Sequence, residues 1–408
     1  MPPRHDPFAA ARQPNFRFYL LSRLFSATAT TLQSAAIAWQ VYRISHSALA
    51  LGLLGLVRFL PALLAGLLGG AVADSFDRRR VLLLAQLPPL ACSLALVATS
   101  PSNQGGLALV FMLTFAIALA SAFENPARQA LLPQLVTRET FANAVAVSTT
   151  VQQFAFVLGP AVGGLLIATS GLPAAYGVSA ALYAATALSL LPLRPALVVT
   201  PKRALSLAAM REGVAFVWHR QVLLGAMTLD LFAVIFGGAT ALLPVYAESV
   251  LKVGADGYGL LTAALPVGAA LMSVLLVALP PVQRAGRGLL AGVACFGLMT
   301  MLFGASRSFP LSLAAYALTG AADQVSVIMR QTTIQLATPD ALRGRVSAVS
   351  SVFIGASNQV GAIESGFVAA LTSATFSVVS GGAGVLAVVA AVAAGMPDLR
   401  RYRLGDRE

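Results

Sequence analysis

Long apolar runs fill almost the whole of this chain, and they can be counted as twelve. A spanning helix needs roughly 20 apolar residues, because backbone groups cannot stay unpaired in lipid. Hydrophobic residues make up 58% of the 408 positions and charged residues only 10%. The expected spans are 16–41, 48–72, 81–99, 107–124, 141–168, 172–193, 221–247, 257–279, 288–306, 309–329, 345–369 and 373–395. That is an all-α, multi-pass membrane protein.

Charge placement sets the expected topology. Lys and Arg collect in cytoplasmic loops. With the N-terminus inside, 22 of the 27 basic residues fall on that side, among them Arg78–Arg80, Arg128, Arg194, Arg220, Arg284, Arg330 and Arg345. Three, Arg43, Lys252 and Arg307, fall on the other side, and Arg23 and Arg58 lie within spans. Both termini are therefore expected in the cytoplasm, and cysteines placed at Ser75 and Ser206 are expected inside, with Asn103 and Ser308 outside. The net charge of +12 is a topology signal with contact to anionic lipid, not a nucleic-acid signal.

Several chemistries are excluded. The first apolar segment is too long for a signal peptide and lacks a small-residue cleavage site. Cys92 and Cys295 lie mid-span and read as packing residues. His5, His46 and His219 sit in loops or tails, so no metal site is expected. Neither Lys202 nor Lys252 follows a glycine, which excludes a Walker A loop. There is no nucleophile–base–orienter set, so no enzyme and no cofactor are expected.

The chain repeats itself. A shift of 202 residues lays Arg128-Gln129 on Arg330-Gln331, Ala146-Val147-Ser148 on Ala348-Val349-Ser350, and Gly159 and Gly164 on Gly361 and Gly366. Two six-helix halves in the same orientation are expected, residues 1–191 and 221–408. A cytoplasmic linker, 192–220, joins them and carries an amphipathic piece (Leu205, Leu207, Met210, Val214, Val217). Two parallel halves resemble the major facilitator superfamily, whose substrate site lies near the midplane between halves.

Local motifs carry the same resemblance. Gly70-Ala-Val-Ala-Asp74-Ser-Phe-Asp77-Arg78-Arg79-Arg80 resembles the superfamily's loop 2–3 signature, with Ser75 and Asp77 as departures. The resemblance implies a conformational latch of Gly70, Asp74, Arg78 and Arg79, with Arg345 facing them from the 10–11 loop. Gly159-Pro160-Ala-Val-Gly163-Gly164 resembles the glycine-proline motif of helix 5, most often seen in exporters. Asn125-Pro-Ala-Arg128-Gln-Ala-Leu-Leu-Pro133, Leu229–Pro244, Gly344-Arg345-Val-Ser-Ala-Val and Ser357–Gly366 are similar to the branch holding the enterobactin exporter, the macrolide efflux proteins and the transmembrane secretion effector group. That likeness covers Asn15 to Arg401 and implies secondary active efflux of small molecules, drugs or siderophore-like metabolites, from a bacterial cytoplasm. An importer or lipid flippase on the same fold, and a non-transporting sensor, are the competing readings. Small-molecule substrate, proton and membrane lipid are the expected partners, no nucleic acid is expected, and the protein is expected to be a monomer in the inner membrane.

Charges within spans mark working residues, because each is costly in lipid unless paired or hydrated. They are Arg23 on helix 1, Arg58 on helix 2, Glu124 at the end of helix 4, Asp230 on helix 7, Asp323 on helix 10 and Glu364 on helix 11. Helices 3, 6, 9 and 12 carry none, and in the superfamily that this chain resembles those four are peripheral. Asp230, Asp323 and Glu364 are candidates to alternate between a proton and a cation, with Arg23 and Arg58 as the cations; a static ion pair is the alternative. Phe25, Gln33, Gln40, Phe115, Glu124, Phe232, Phe236, Tyr316 and Gln324 are candidate cavity lining. A large apolar cavity with few polar anchors suits bulky amphipathic substrates.

Overall fold

A computed structural model describes residues 10–100, 106–137, 140–194, 207–278 and 283–403. Among these the secondary structure is helical throughout, with no strand. The long helices are α1 (Pro14–Ser45), α2 (Ala48–Ser75), α3 (Arg78–Thr99), α4 (Gly106–Leu131) and α5 (Phe141–Leu190). After these come α6 (Leu207–Trp218), α7 (Gln221–Phe236), α8 (Gly254–Ala278), α9 (Ala285–Ala305), α10 (Phe309–Leu336), α11 (Asp340–Leu371), α12 (Ala374–Gly395) and the short α13 (Pro397–Arg401). Eight of the described helices are long and apolar enough to cross a membrane. The short α6 occupies the segment read as amphipathic.

The helix α5 is two helices that meet at a kink. Gly171 has φ 80° and ψ 178°, a left-handed conformation that glycine alone adopts without strain. The contacts on either side show that the chain reverses there. Going up the first limb, Asn143, Gln152 and Gly163 meet Ala10, Arg23 and Leu32, so this limb runs parallel to α1. Going up the second, Tyr176, Tyr183 and Arg194 meet Gln40, Gln33 and Asn15, so it runs antiparallel. The 50 residues of α5 are thus a helical hairpin whose turn falls between expected spans 141–168 and 172–193.

The expected span 221–247 is also broken. After Phe236 the backbone tightens to a 3-10 helix, Gly238–Leu242, and passes through Leu243–Val245 into a π turn, Tyr246–Val250. Gly237 sits where an added Cβ would press into the Ala233 carbonyl and the ring of Phe296. The absence of a side chain there lets Phe296 of α9 approach closely, and Pro244 removes a backbone donor from the same stretch.

The chain forms two compact units. One comprises Met1–Ser45 and Val57–Lys202, the other His46–Leu56 and Arg203–Glu408. In the first, Phe16, Tyr19, Leu82, Leu131 and Leu190 form a buried apolar cluster. In the second, Leu229, Leu289, Val293, Phe296 and Val385 do so. Each unit packs its equivalent of helix 5 onto its equivalent of helix 1 through glycine. At Gly159 an added Cβ would meet the Thr31 hydroxyl and, at 2.9 Å, the Thr28 carbonyl; at Gly361 it would meet the Val234 carbonyl at 2.6 Å. Gly163 likewise leaves room for Leu32, at 3.2 Å. The helix-5 motif (Gly159, Pro160, Gly163, Gly164) thus lies on the first limb of α5, with Gly163 and Gly164 buried.

Candidate functional site

Among the described residues, two buried ion pairs dominate the polar interior. In the first unit, Glu124 and Arg128 stand one turn apart on α4 and meet at 2.6 Å. The Ser26 hydroxyl of α1 donates to the same Glu124 oxygen at 2.6 Å, and Arg128 donates to the Ser22 hydroxyl at 3.1 Å. The Arg128 guanidinium also lies 5.9 Å from the centre of the Tyr19 ring, within cation–π reach. Gln86 of α3 lies beside Glu124, although neither of its amide atoms reaches a hydrogen-bond partner.

In the second unit the pair joins two helices. Arg330 of α10 donates to Asp230 of α7 at 2.7 Å, with side-chain exposures of only 4% and 10%. Asp323 lies two turns before Arg330 on α10 and interacts electrostatically with both members of the pair. The cluster therefore holds two carboxylates and one guanidinium, and Arg330 Nε has no hydrogen-bond partner. A buried pair of this kind loses about 3–5 kcal/mol when one partner is removed, because the other charge is left uncompensated.

These pairs correct the charge partners expected from sequence. Arg128 and Arg330 were placed in loops, yet α4 continues to Leu131 and α10 to Leu336, and both arginines are buried within them. Arg330 is the cation beside Asp230, where Arg23 or Arg58 was expected, and Arg128 is the cation beside Glu124. Arg23 instead donates to Gln152 of α5 at 2.5 Å, and Arg58 donates to the Ser34 carbonyl of α1 at 3.3 Å. The signal for Arg128 and Arg330 was present in the repeat, which superposes them, and in the i,i+4 spacing of Glu124 and Arg128.

The other sequence candidates divide by environment. Gln33 is buried and committed to packing: it donates to Ser93 at 2.8 Å and accepts from Tyr183 at 2.9 Å. Gln40 accepts from Tyr176 at 2.5 Å. Tyr316 is buried against Phe303 and bonded to Thr240 at 2.7 Å. Phe232 and Phe236 stack with centroids 5.8 Å apart, half-buried on α7. Phe25 and Gln324 are half-buried, Phe115 is exposed, and Glu364 accepts from its neighbour Ser365 at 3.2 Å. Among the latch residues, Arg79 donates to the carbonyls of Leu190 and Leu191, and Arg345 pairs with Glu212 of α6 at 2.6 Å. Arg78 opens α3, and the side chains at Gly70 and Asp74 lie outside the described residues, as do Asn103 and Ser206.

A helical chain with a buried ion pair in each of two repeated units has the fold of a major facilitator superfamily transporter, and solved structures agree. A nucleoside transporter, NupG, superposes with a TM-score of 0.73 at 12% identity, covering 95% of this chain and 99% of that one. A peptide transporter, POT, in complex with sulfate, superposes with a TM-score of 0.72 at 13% identity, covering 97% and 99%. The family model for "transmembrane secretion effector" matches residues 5–401, and the chain belongs to that family. A curated relative, the enterobactin exporter EntS of Escherichia coli O1:K1 / APEC, is 28% identical over 394 residues, 96% of this chain and 94% of its own. The chain is a multi-pass membrane transporter and not an enzyme.

Proposed function

We propose that this transporter exports small amphipathic molecules, drugs or siderophore-like metabolites, from a bacterial cytoplasm in exchange for protons. The observation that carries the reading is the interhelical Asp230–Arg330 pair with Asp323 close by. A carboxylate in low dielectric needs either a cation or a proton. While Arg330 bridges α10 to α7, Asp230 is satisfied as an anion. A proton arriving at Asp230 removes the reason for the bridge, leaves Arg330 to Asp323, and frees α7 to move. An exporter of this kind draws on an ion gradient, and alternating access couples that exchange to substrate release. The similarity to an enterobactin exporter and the helix-5 motif favour outward transport. The same reading places both termini in the cytoplasm, the 2–3 loop with Gly70 and Asp74 as a latch, and the chain as a monomer in the inner membrane.

The test uses inverted membrane vesicles carrying a proton gradient. Wild-type protein is expected to accumulate substrate inside the vesicles and to collapse part of the gradient as it does so. Asp230→Asn is expected to abolish accumulation while sparing downhill exchange of labelled substrate. Accumulation by Asp230→Asn at the wild-type rate would transfer the coupling role elsewhere, with Asp323 and Glu364 next to examine. Uptake in the opposite direction, into right-side-out vesicles, would replace export with import.

A further inference from the structure

We propose that the cleft between α3 and α4 binds one anionic phospholipid, its phosphodiester held by Arg80 and an acyl chain lodged between the helices. The cleft encloses about 610 Å³, within the roughly 300–1,000 Å³ of sites that hold drug-sized ligands. Leu84, Ala116, Leu119 and Phe123 make its walls, and Phe76, Asp77 and Arg80 make its mouth. Both flanking helices are among those long and apolar enough to span a membrane, so the walls lie at hydrocarbon depth and the mouth at a helix end. Leu84 and Phe76 are 64% and 65% exposed, a surface that lipid must cover.

The chemistry at the mouth selects the occupant. Asp77 is already committed: its carboxylate caps α3, accepting from the backbone N–H of Arg79 at 2.9 Å and of Arg80 at 3.1 Å. Arg79 is committed to the carbonyls that end α5. The Arg80 side chain is exposed and has no protein partner among the described residues. A spare guanidinium at the rim of an apolar slot matches a ligand with one negative group and one long apolar tail. A phosphodiester can take two parallel hydrogen bonds from it. Free phosphate would use the arginine and leave the slot empty; a neutral lipid would fill the slot and leave the arginine unused.

Native mass spectrometry of the purified full chain tests this, with titrations of phosphatidylglycerol, phosphatidylcholine of the same acyl chains, and inorganic phosphate. One phosphatidylglycerol should bind in preference to phosphatidylcholine, and phosphate should not displace it. Arg80→Gln should weaken that binding about fivefold, the share of one arginine at an anionic headgroup, and Arg80→Lys should keep most of it. Ala116→Trp, which fills the slot, should weaken phosphatidylglycerol as well. Arg80→Gln alters an exposed, unpartnered side chain, so the test stands even if Ala116→Trp folds poorly. Equal affinity for the two lipids, unchanged binding in Arg80→Gln, or displacement by phosphate would overturn the assignment.

Discussion

Arg128 and Arg330 occupy equivalent positions in the 202-residue repeat, yet their carboxylates arrive by different routes. In the first unit the carboxylate is Glu124, four residues back on the same helix. Its equivalent in the second unit is Ser326, a buried hydroxyl. There the carboxylate is Asp230 on the facing helix, whose equivalent in the first unit is Thr28, also buried. The acid has exchanged places with a hydroxyl across the repeat. An intrahelical pair survives any movement of α1 against α4, because one rigid helix carries both charges. An interhelical pair is a tie between α7 and α10, and it lasts only while both ends stay charged. The repeat thus holds its charge pair within one helix in one half and between two helices in the other.

The largest effect tests the breakable tie. Asp230→Asn should lower thermal stability by about 3–5 kcal/mol, and adding Arg330→Gln should recover much of that by removing the stranded charge. Thermal unfolding of the detergent-purified variants reads both. Glu124→Gln should cost a similar amount, yet keep uphill transport in vesicles; if it stops transport as Asp230→Asn does, the two pairs are functionally alike and the contrast fails.

A transplant sharpens the comparison further. Asp230→Thr combined with Ser326→Glu rebuilds the first unit's arrangement inside the second. Most of the 3–5 kcal/mol should return, because Arg330 regains an acid one turn away. Uphill transport should stay lost, and its recovery would show that the tie between helices is dispensable.

Smaller effects concern the glycine contacts. Gly361→Ala should destabilise by about 1–3 kcal/mol and more than Gly159→Ala, measured by the same unfolding assay. At Gly361 the obstacle is the Val234 backbone, whereas at Gly159 the first obstacle is the movable Thr31 hydroxyl. The smallest effect belongs to the exposed pair. Glu212→Gln, which releases Arg345, should change stability by under about 1 kcal/mol, as solvent-exposed pairs do. A larger loss would promote that pair from a surface contact to a structural one.

The helices themselves were readable because lipid demands long apolar runs, and even the reversal inside α5 fell where the runs part at Gly171. The ion pairs were only half readable. Asp230, Asp323 and Glu124 stood out as charges in apolar surroundings, but a hydropathy reading tends to close a span where polar residues begin. Here it closed two spans at Glu124 and Met329 and left Arg128 and Arg330 outside, although a helix continues through an arginine that has a buried acid to meet. Gln33 and Gln40 misled in the opposite way. Amides in an apolar run suggest a ligand, and here the ring hydroxyls of Tyr183 and Tyr176, 150 and 136 residues away in sequence, take them up. The break after Phe236 follows from Gly237 and Gly238, whose effect depends on which neighbours press against them.

The turn at Gly171 also fixes an angular setting. With 3.6 residues per helical turn, one residue added or removed there rotates everything after it by about 100°. Tyr176 and Tyr183 would swing off Gln40 and Gln33 together, and two buried amide oxygens would lose these donors at once. Most connections between helices tolerate drift in length over evolutionary time. This one behaves as a keyed coupling, and natural variants of this transporter should differ in the residues around the turn but not in their number.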